Sequence, residues 1–136
     1  SFPSFNSSQF PHLHILDLST CGITSWLSIS SSLGSLLNLE ELLLDGNPIS
    51  DILPAQENQF NSLKRISLSG TRISTWNDVN ILNSYRSLNH LRLTNIPLFH
   101  GKGPSEIRPE IIGRLQKLEI FNGSGISPKE RNDSEK

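Results

Sequence analysis

At 136 residues the chain is long enough for one domain with a continuous core. Its 12 basic and 13 acidic residues leave a net charge of −1, which gives no electrostatic footprint for nucleic acid or an anionic membrane surface. No apolar run approaches a bilayer's thickness, and no charged segment followed by an apolar one opens the chain as a leader would.

Residues 1–9, SFPSFNSSQ, carry neither a strand nor a helix period and read as the tail of a preceding repeat or a frayed segment. The chain has no initiator Met and no polar cap ahead of its first repeat, so an excerpt of a longer protein is expected. From residue 10 a phrase recurs. Its clearest copy is Leu39 to Ile49, LEELLLDGNPI, the L-x-x-L-x-L-x-x-N pattern of a leucine-rich repeat. A first copy runs through Leu13, Leu16, Leu18, Cys21 and Ile23. A third uses Leu63, Ile66, Leu68, Thr71 and Ile73, and a fourth Leu88, Leu91, Leu93, Ile96 and Leu98. A degenerate fifth runs through Leu118, Phe121, Gly123 and Ile126.

A further apolar residue stands three places before each leading leucine: Phe10, Leu36, Phe60, Tyr85 and Leu115. The leading leucines are 26, 24, 25 and 30 residues apart. All 20 apolar slots of the first four copies are filled, in a chain only 35% hydrophobic. Chance does not supply that. Within each copy x-L-x-L-x alternates with period two, which makes a short strand with leucines inward and x residues outward. The Asn slot needs an amide to satisfy backbone groups where the chain leaves the strand. Cys21 substitutes there and is expected in the repeat core. Thr71 and Ile96 break the rule, so the third and fourth turns are expected to be less regular.

Because one repeat cannot bury its own apolar edge, stacked copies share a core. The expected fold is therefore an α/β leucine-rich-repeat solenoid, a short horseshoe over residues 10–126. Its parallel sheet lies on the concave face, and short helices, 3-10 segments and turns on the convex face. ITSW (Ile23 to Trp26) and ISTW (Ile73 to Trp76) follow the first and third strands. These repeat-equivalent tryptophans are expected to cap the core at the start of each convex segment, against the alternative of surface anchors for a partner.

The convex segments differ. Ile29, Leu33 and Leu36 in a Ser-rich run suggest an irregular stretch in repeat one. Pro54 and a polar run suggest turns in repeat two. Trp76, Val79, Leu82 and Tyr85 behind Thr75-x-x-Asp78, which resembles a capping box, suggest a helix in repeat three. After an inserted loop, His100 to Ser105, a helix presents Ile107, Ile111, Ile112 and Leu115, with Pro109 tolerable only in its first turn. Residues 127–136 open with Ser127, Pro128 and Glu130, the N-cap, N1 and N3 of a last helix or linker.

The single cysteine cannot close the disulfide-bonded caps usual in secreted repeat proteins, which favours a reducing compartment. Glycosylation triplets at Asn6, Asn122 and Asn132 point the other way. A chain this rich in Asn and Ser supplies them by chance, and Asn122 falls in the last expected strand. Nothing catalytic stands out. His12, His14 and His90 lack partners at zinc-site spacing. Gly101-Lys102-Gly103 lacks the rest of a phosphate loop. Glu40 and Glu41 point to opposite sides of a strand, and no cofactor is implied.

What remains is the outward face. One row reads Ile15, Glu41, Arg65, His90, Ile120, the next Asp17, Leu43, Ser67, Arg92, Asn122, and a third Ser19, Asp45, Ser69, Thr94, Ser124. Asp17, Glu41 and Asp45 gather on the first two repeats and Arg65, His90 and Arg92 on the next two, a split field able to orient a partner carrying both signs. These residues with Leu43 are the candidate contacts.

The C-terminal half, SLSGTRISTWNDVNILNSYRSLNHLRLTNIPLF and then EIIGRLQKLEIFNGSGISPKERNDSEK, resembles the leucine-rich-repeat domain of the tubulin-folding cofactor E and cofactor E-like family. The resemblance is carried by ISTW, the shifted N-I-P-L turn at Asn95 to Leu98, and the closing phrase from Ile112 to Glu135. It covers residues 63–136 well and residues 10–62 as generic repeats. It implies a cytoplasmic, cytoskeleton-associated chaperone domain that binds α-tubulin during heterodimer folding, assembly or disassembly, with other tubulin-folding cofactors as partners. In full-length cofactor E a glycine-rich domain precedes the repeats and a ubiquitin-like one follows, and the E-like relative lacks the first. The competing expectations are an intracellular leucine-rich-repeat adaptor or, on the glycosylation triplets alone, a receptor fragment.

Overall fold

The computed structural model describes residue 10 and residues 12–135. The expected tail over residues 1–9 and the triplet at Asn6 lie outside them. Strands β1 (Ile15–Asp17), β2 (Glu41–Leu43), β3 (Arg65–Ser67), β4 (His90–Arg92) and β5 (Ile120–Phe121) pair in parallel and in chain order. β6 (Ser124–Gly125) turns back antiparallel on β5. Parallel neighbours need a crossover, and the convex segments provide it, among them α1 (Trp26–Leu33), α2 (Trp76–Ile81) and α3 (Pro104–Arg114), while α4 (Pro128–Ser134) follows the last strand.

Leu16, Leu42, Ile66, Leu91 and Phe121 stand in one register row, and all but Leu16, which is half-buried, belong to the closed core. Leu39, Leu63, Leu88 and Leu118 lie in it with them, as do the added apolar residues Leu36, Phe60, Tyr85 and Leu115. Phe10, the equivalent in the first copy, is 42% exposed.

How the chain leaves each strand is set by two adjacent positions. The residue before the Asn slot is left-handed in every repeat, with φ of 51° at Thr20, 73° at Gly46, 72° at Gly70 and 54° at Asn95. At Gly46 the glycine is needed twice over, because a Cβ there would also lie 2.6 Å from the Thr20 methyl of the neighbouring repeat. The slot itself is best filled by Asn47, which is fully buried. Its Oδ1 accepts from the N–H groups of Cys21 (2.9 Å) and Ile23 (3.0 Å). Its Nδ2 donates to the carbonyls of Leu18 (2.9 Å) and Leu44 (3.0 Å). One amide therefore satisfies backbone groups of two repeats.

The other slots correct the sequence reading. Cys21 is exposed, not in the core, because Asn47 already serves the backbone around it and the thiol turns out to the Ser19 carbonyl. Thr71 is buried and its hydroxyl donates to the Leu68 carbonyl at 2.7 Å, as Asn47 does to Leu44. The third turn thus keeps the geometry of the second. Ile96 has nothing to donate and enters the core, with Phe99 beside it, while Leu98 stays half-buried. A 3-10 segment, Pro97–Phe99, replaces the regular turn, so the expected irregularity is confined to the fourth repeat.

The convex side brings two more corrections. Repeat one forms a full α-helix. Ser25 accepts from the Ser28 N–H as N-cap, and Trp26, Ile29 and Leu33 are buried on one face. The serines that suggested irregularity sit in a helix held by that face. α3 begins at Pro104, inside the expected loop, which puts Pro109 at its sixth residue rather than in the first turn. Pro109 cannot serve the Ser105 carbonyl, but both residues are exposed, so water can. Repeat two is turn-like across residues 50–60. α2 carries the expected cap, with Thr75 accepting from the Asp78 N–H and donating to its carboxylate, while the other Asp78 oxygen accepts from the Ile52 N–H.

The two tryptophans differ. Trp26 is buried, edge-on to Tyr85 at 6.1 Å, and donates to its hydroxyl, which in turn donates to the Leu53 carbonyl. That chain joins three repeats, and burial pushes the Tyr85 phenol up to about 12. Trp76 is half-buried against Phe99, under the Arg114 guanidinium at 4.7 Å.

Asn47→Ala leaves two backbone N–H groups and two carbonyls without their partner, at about 1–3 kcal/mol for a buried unsatisfied group. Urea unfolding is expected to show a loss of about 3 kcal/mol. A loss under about 1 kcal/mol would remove the amide from its central role.

Candidate functional site

The outward rows of the sheet exist as the alternation requires, over the length of the strands. Ile15, Glu41, Arg65, His90 and Ile120 are register neighbours, as are Asp17, Leu43, Ser67 and Arg92. At about 4.8 Å per strand the first row spans roughly 19 Å. The fifth strand stops at Phe121, so Asn122 is not the end of the second row. It lies in the turn to β6 with φ of 50°. There its side chain does what the repeat backbone does elsewhere, accepting from the Leu93 N–H at 2.7 Å and donating to the Leu93 carbonyl at 3.2 Å. The Nδ2 that a glycan would need is therefore engaged.

The charges on this face are partly committed. Glu41 and Arg65, on adjacent strands, approach to 3.4 Å. Asp45 accepts from the Ser67 hydroxyl (2.6 Å) and the Ser69 N–H (2.9 Å), bracing the next repeat. Asp17 accepts from the Ser19 N–H, and the Ser19 hydroxyl and then that N–H hold its carboxyl below the usual carboxylate range. Arg92 is exposed, and its carbonyl accepts from the Leu68 N–H while its side chain makes no hydrogen bond among the described residues. Leu43 is half-buried and Ile15 is 58% exposed, so apolar surface adjoins the acidic side. The structure thus brings Asp17, Glu41, Leu43, Arg65, His90 and Arg92 onto one sheet face, with Asp45 just beyond β2. The acidic-to-basic gradient runs along it with the Glu41–Arg65 pair in the middle.

Two arginines that the sequence reading left without a role close the C-terminal end. Arg108 of α3 binds Glu130 and reaches the carbonyls of Phe121, Ser124 and Gly125. Arg131 of α4 donates to the carbonyls of Ile112, Leu115 and Leu118. Ser127 caps α4 by accepting from the Glu130 N–H. The Glu-Arg pair of the closing phrase is therefore a clasp that pins α4 against α3. Its spacing alone carried no sign of which carbonyls it would find.

Burial, then the charges of Arg65 and Arg92, hold His90 below its ordinary 6.5, with Glu41 pulling the other way. The folded chain binds that proton more weakly than the unfolded chain, so the neutral ring's contribution to stability is complete above pH 6.5. It is lost as the pH falls through 6.5 towards the folded value. Proton NMR of the His90 ring is expected to give a midpoint below 6.5 that rises in Arg92→Gln; a midpoint at or above 6.5 would refute the arrangement.

Known proteins share this architecture. The Leucine Rich Repeat family model matches residues 38–57. A chain in the crystal structure of the Drosophila melanogaster SNF/U2A′ complex superposes with a TM-score of 0.71 at 21% identity, covering 89% of this chain and 79% of that one. The Mex67 leucine-rich-repeat domain from Chaetomium thermophilum does so with a TM-score of 0.64 at 23% identity, covering 95% and 91%. At such identities the likeness concerns the fold. In sequence the chain is 31% identical to the Homo sapiens tubulin-specific chaperone cofactor E-like protein over 100% of this chain and 32% of that protein. It is 32% identical to the Caenorhabditis elegans cofactor E-like protein over 88% and 28%, and 39% identical to Dictyostelium discoideum tubulin-specific chaperone E over 65% and 19%. The chain spans a third or less of the length of these relatives. It is a leucine-rich-repeat domain whose sequence is similar to the tubulin-specific chaperone E and E-like proteins.

Proposed function

We propose that this chain is a protein-interaction domain of a tubulin-specific chaperone, and that it binds α-tubulin while the tubulin heterodimer is folded, assembled or taken apart. The observation that carries the reading is similarity along the whole chain to a protein named as a tubulin-specific chaperone cofactor. A cytoplasmic, cytoskeleton-associated setting and contact with other tubulin-folding cofactors belong to the same proposal. So does a binding role in place of a catalytic one.

The contact surface we assign is the concave face, through Asp17, Glu41, Leu43, Asp45, Arg65, His90 and Arg92. A sheet face held rigid by its repeats loses little conformational freedom on binding. Charges of opposite sign at its two ends fix a partner's orientation more than they add affinity. Half-buried Leu43 and exposed Ile15 offer apolar area beside them.

The test is titration with soluble α/β-tubulin of the native chain and of the double variant Arg65→Glu/Arg92→Glu, with circular dichroism to check the fold. Saturable binding weakened at least tenfold in the variant is expected. Equal binding by both would move the contact off this face, and no binding by the folded native chain would reject tubulin as the partner of this domain.

A further inference from the structure

The end of the sheet leaves a cleft that the concave-face reading does not use. In the first three repeats the residue before the Asn slot donates its N–H to the next repeat: Thr20 to Asp45, Gly46 to Ser69 and Gly70 to Thr94, at 2.8, 2.9 and 2.9 Å. The fourth repeat has no such neighbour. β5 ends at Phe121, the chain reverses at Asn122 and Gly123, and the Asn122 side chain satisfies Leu93. The Asn95 N–H donates to nothing among the described residues. Beside it opens a cleft of about 370 Å³ walled by Ile96, Phe99, Ile107 and Phe121. Its basic lining is Lys102 and Arg108, with His100 beside them, and no carboxylate is among its lining residues. Arg108 is neutralised by Glu130, whereas the exposed Lys102 ammonium has no carboxylate partner among the described residues and stands over the Trp76 ring at 5.7 Å.

We propose that this cleft seats an extended acidic segment of a partner protein, with a bulky apolar side chain in the cleft and flanking carboxylates on Lys102 and His100. A segment carbonyl accepts the Asn95 N–H, so the visitor continues the ladder that the fifth repeat abandons. Such edge addition takes affinity from main-chain bonds and selectivity from a side-chain pocket. The volume is that of a site for one large side chain and its neighbours, and the cationic rim without a lining carboxylate selects the sign. The proposal rests on the interaction-domain reading but on a different surface, so it stands or falls apart from the concave face.

The probe is a fluorescein-labelled peptide of sequence EDFEDG, titrated into the ¹⁵N-labelled chain and followed by anisotropy and amide shifts. Saturable binding is expected, with the largest shifts at Asn95, Ile96, Phe99 and Phe121. A tenfold or greater loss is expected for EDAEDG, for QNFQNG and for the Lys102→Glu chain, whose exposed substitution leaves the circular dichroism unchanged. Absence of saturable binding, shifts centred on Arg65 and Arg92, or equal binding of EDAEDG would each overturn it. The tubulin titration with Arg65→Glu/Arg92→Glu reads the other face and keeps the two failures distinct.

Discussion

Everything in this fold depends on satisfying the backbone where each strand gives way to a turn. A strand of three residues makes few ladder bonds, and a repeat that turned away without partners would bury polar groups at a cost no single leucine offsets. The chain meets this with a left-handed residue followed by a side chain able to bond the backbone. Asn47 does so for its own repeat and for the one before it. Repeats are thereby coupled laterally by hydrogen bonds as well as by the shared core. Stability in such a stack is a sum of repeat and nearest-neighbour terms, and Asn47 belongs to the neighbour terms.

The same requirement explains how the regular pattern ends. Ile96 cannot bond backbone and is drawn into the core, so the fourth turn becomes a 3-10 segment and the chain detours through α3. Asn122 then restores part of the ladder with its side chain, and Arg108 and Arg131 take up six carbonyls between them at the closing end. The cost of that ending is a cleft beside Asn95, where a regular repeat would have packed. Departure from the repeat and availability for binding thus have one physical origin.

Rigidity and charge meet on the concave face. The strands fix the spacing of Glu41, Arg65, His90 and Arg92 through the backbone, so the gradient of charge does not depend on flexible side chains finding one another. Asp17 uses part of its hydrogen-bonding capacity on its own turn and Asp45 on the next repeat. The basic end, with Arg92 exposed and the His90 pKa held below its ordinary value mainly by burial, is the less committed half.

The repeats, the sheet's register and the two outward rows that fall on the strands, Asn122 excepted, were legible in the sequence, because period-two alternation and a fixed repeat length determine them locally. The capping box of α2 and the Ser127 cap of α4 were legible for the same reason. What local pattern misjudged was decided between repeats. Cys21 left the core because Asn47, in the neighbouring repeat, already occupied its role. The Ser-rich segment of repeat one became a helix because Trp26, Ile29 and Leu33 are buried and Trp26 meets Tyr85, whose hydroxyl also bonds the Leu53 carbonyl. The roles of Arg108, Arg131 and Asn122, and the cleft beside Asn95, follow from which backbone groups the last turns leave unpaired. The sequence by itself determined the repeating unit and which residues face out. Only the tertiary structure decided how the stack closes, because closure is set by hydrogen-bonding groups brought together from distant residues.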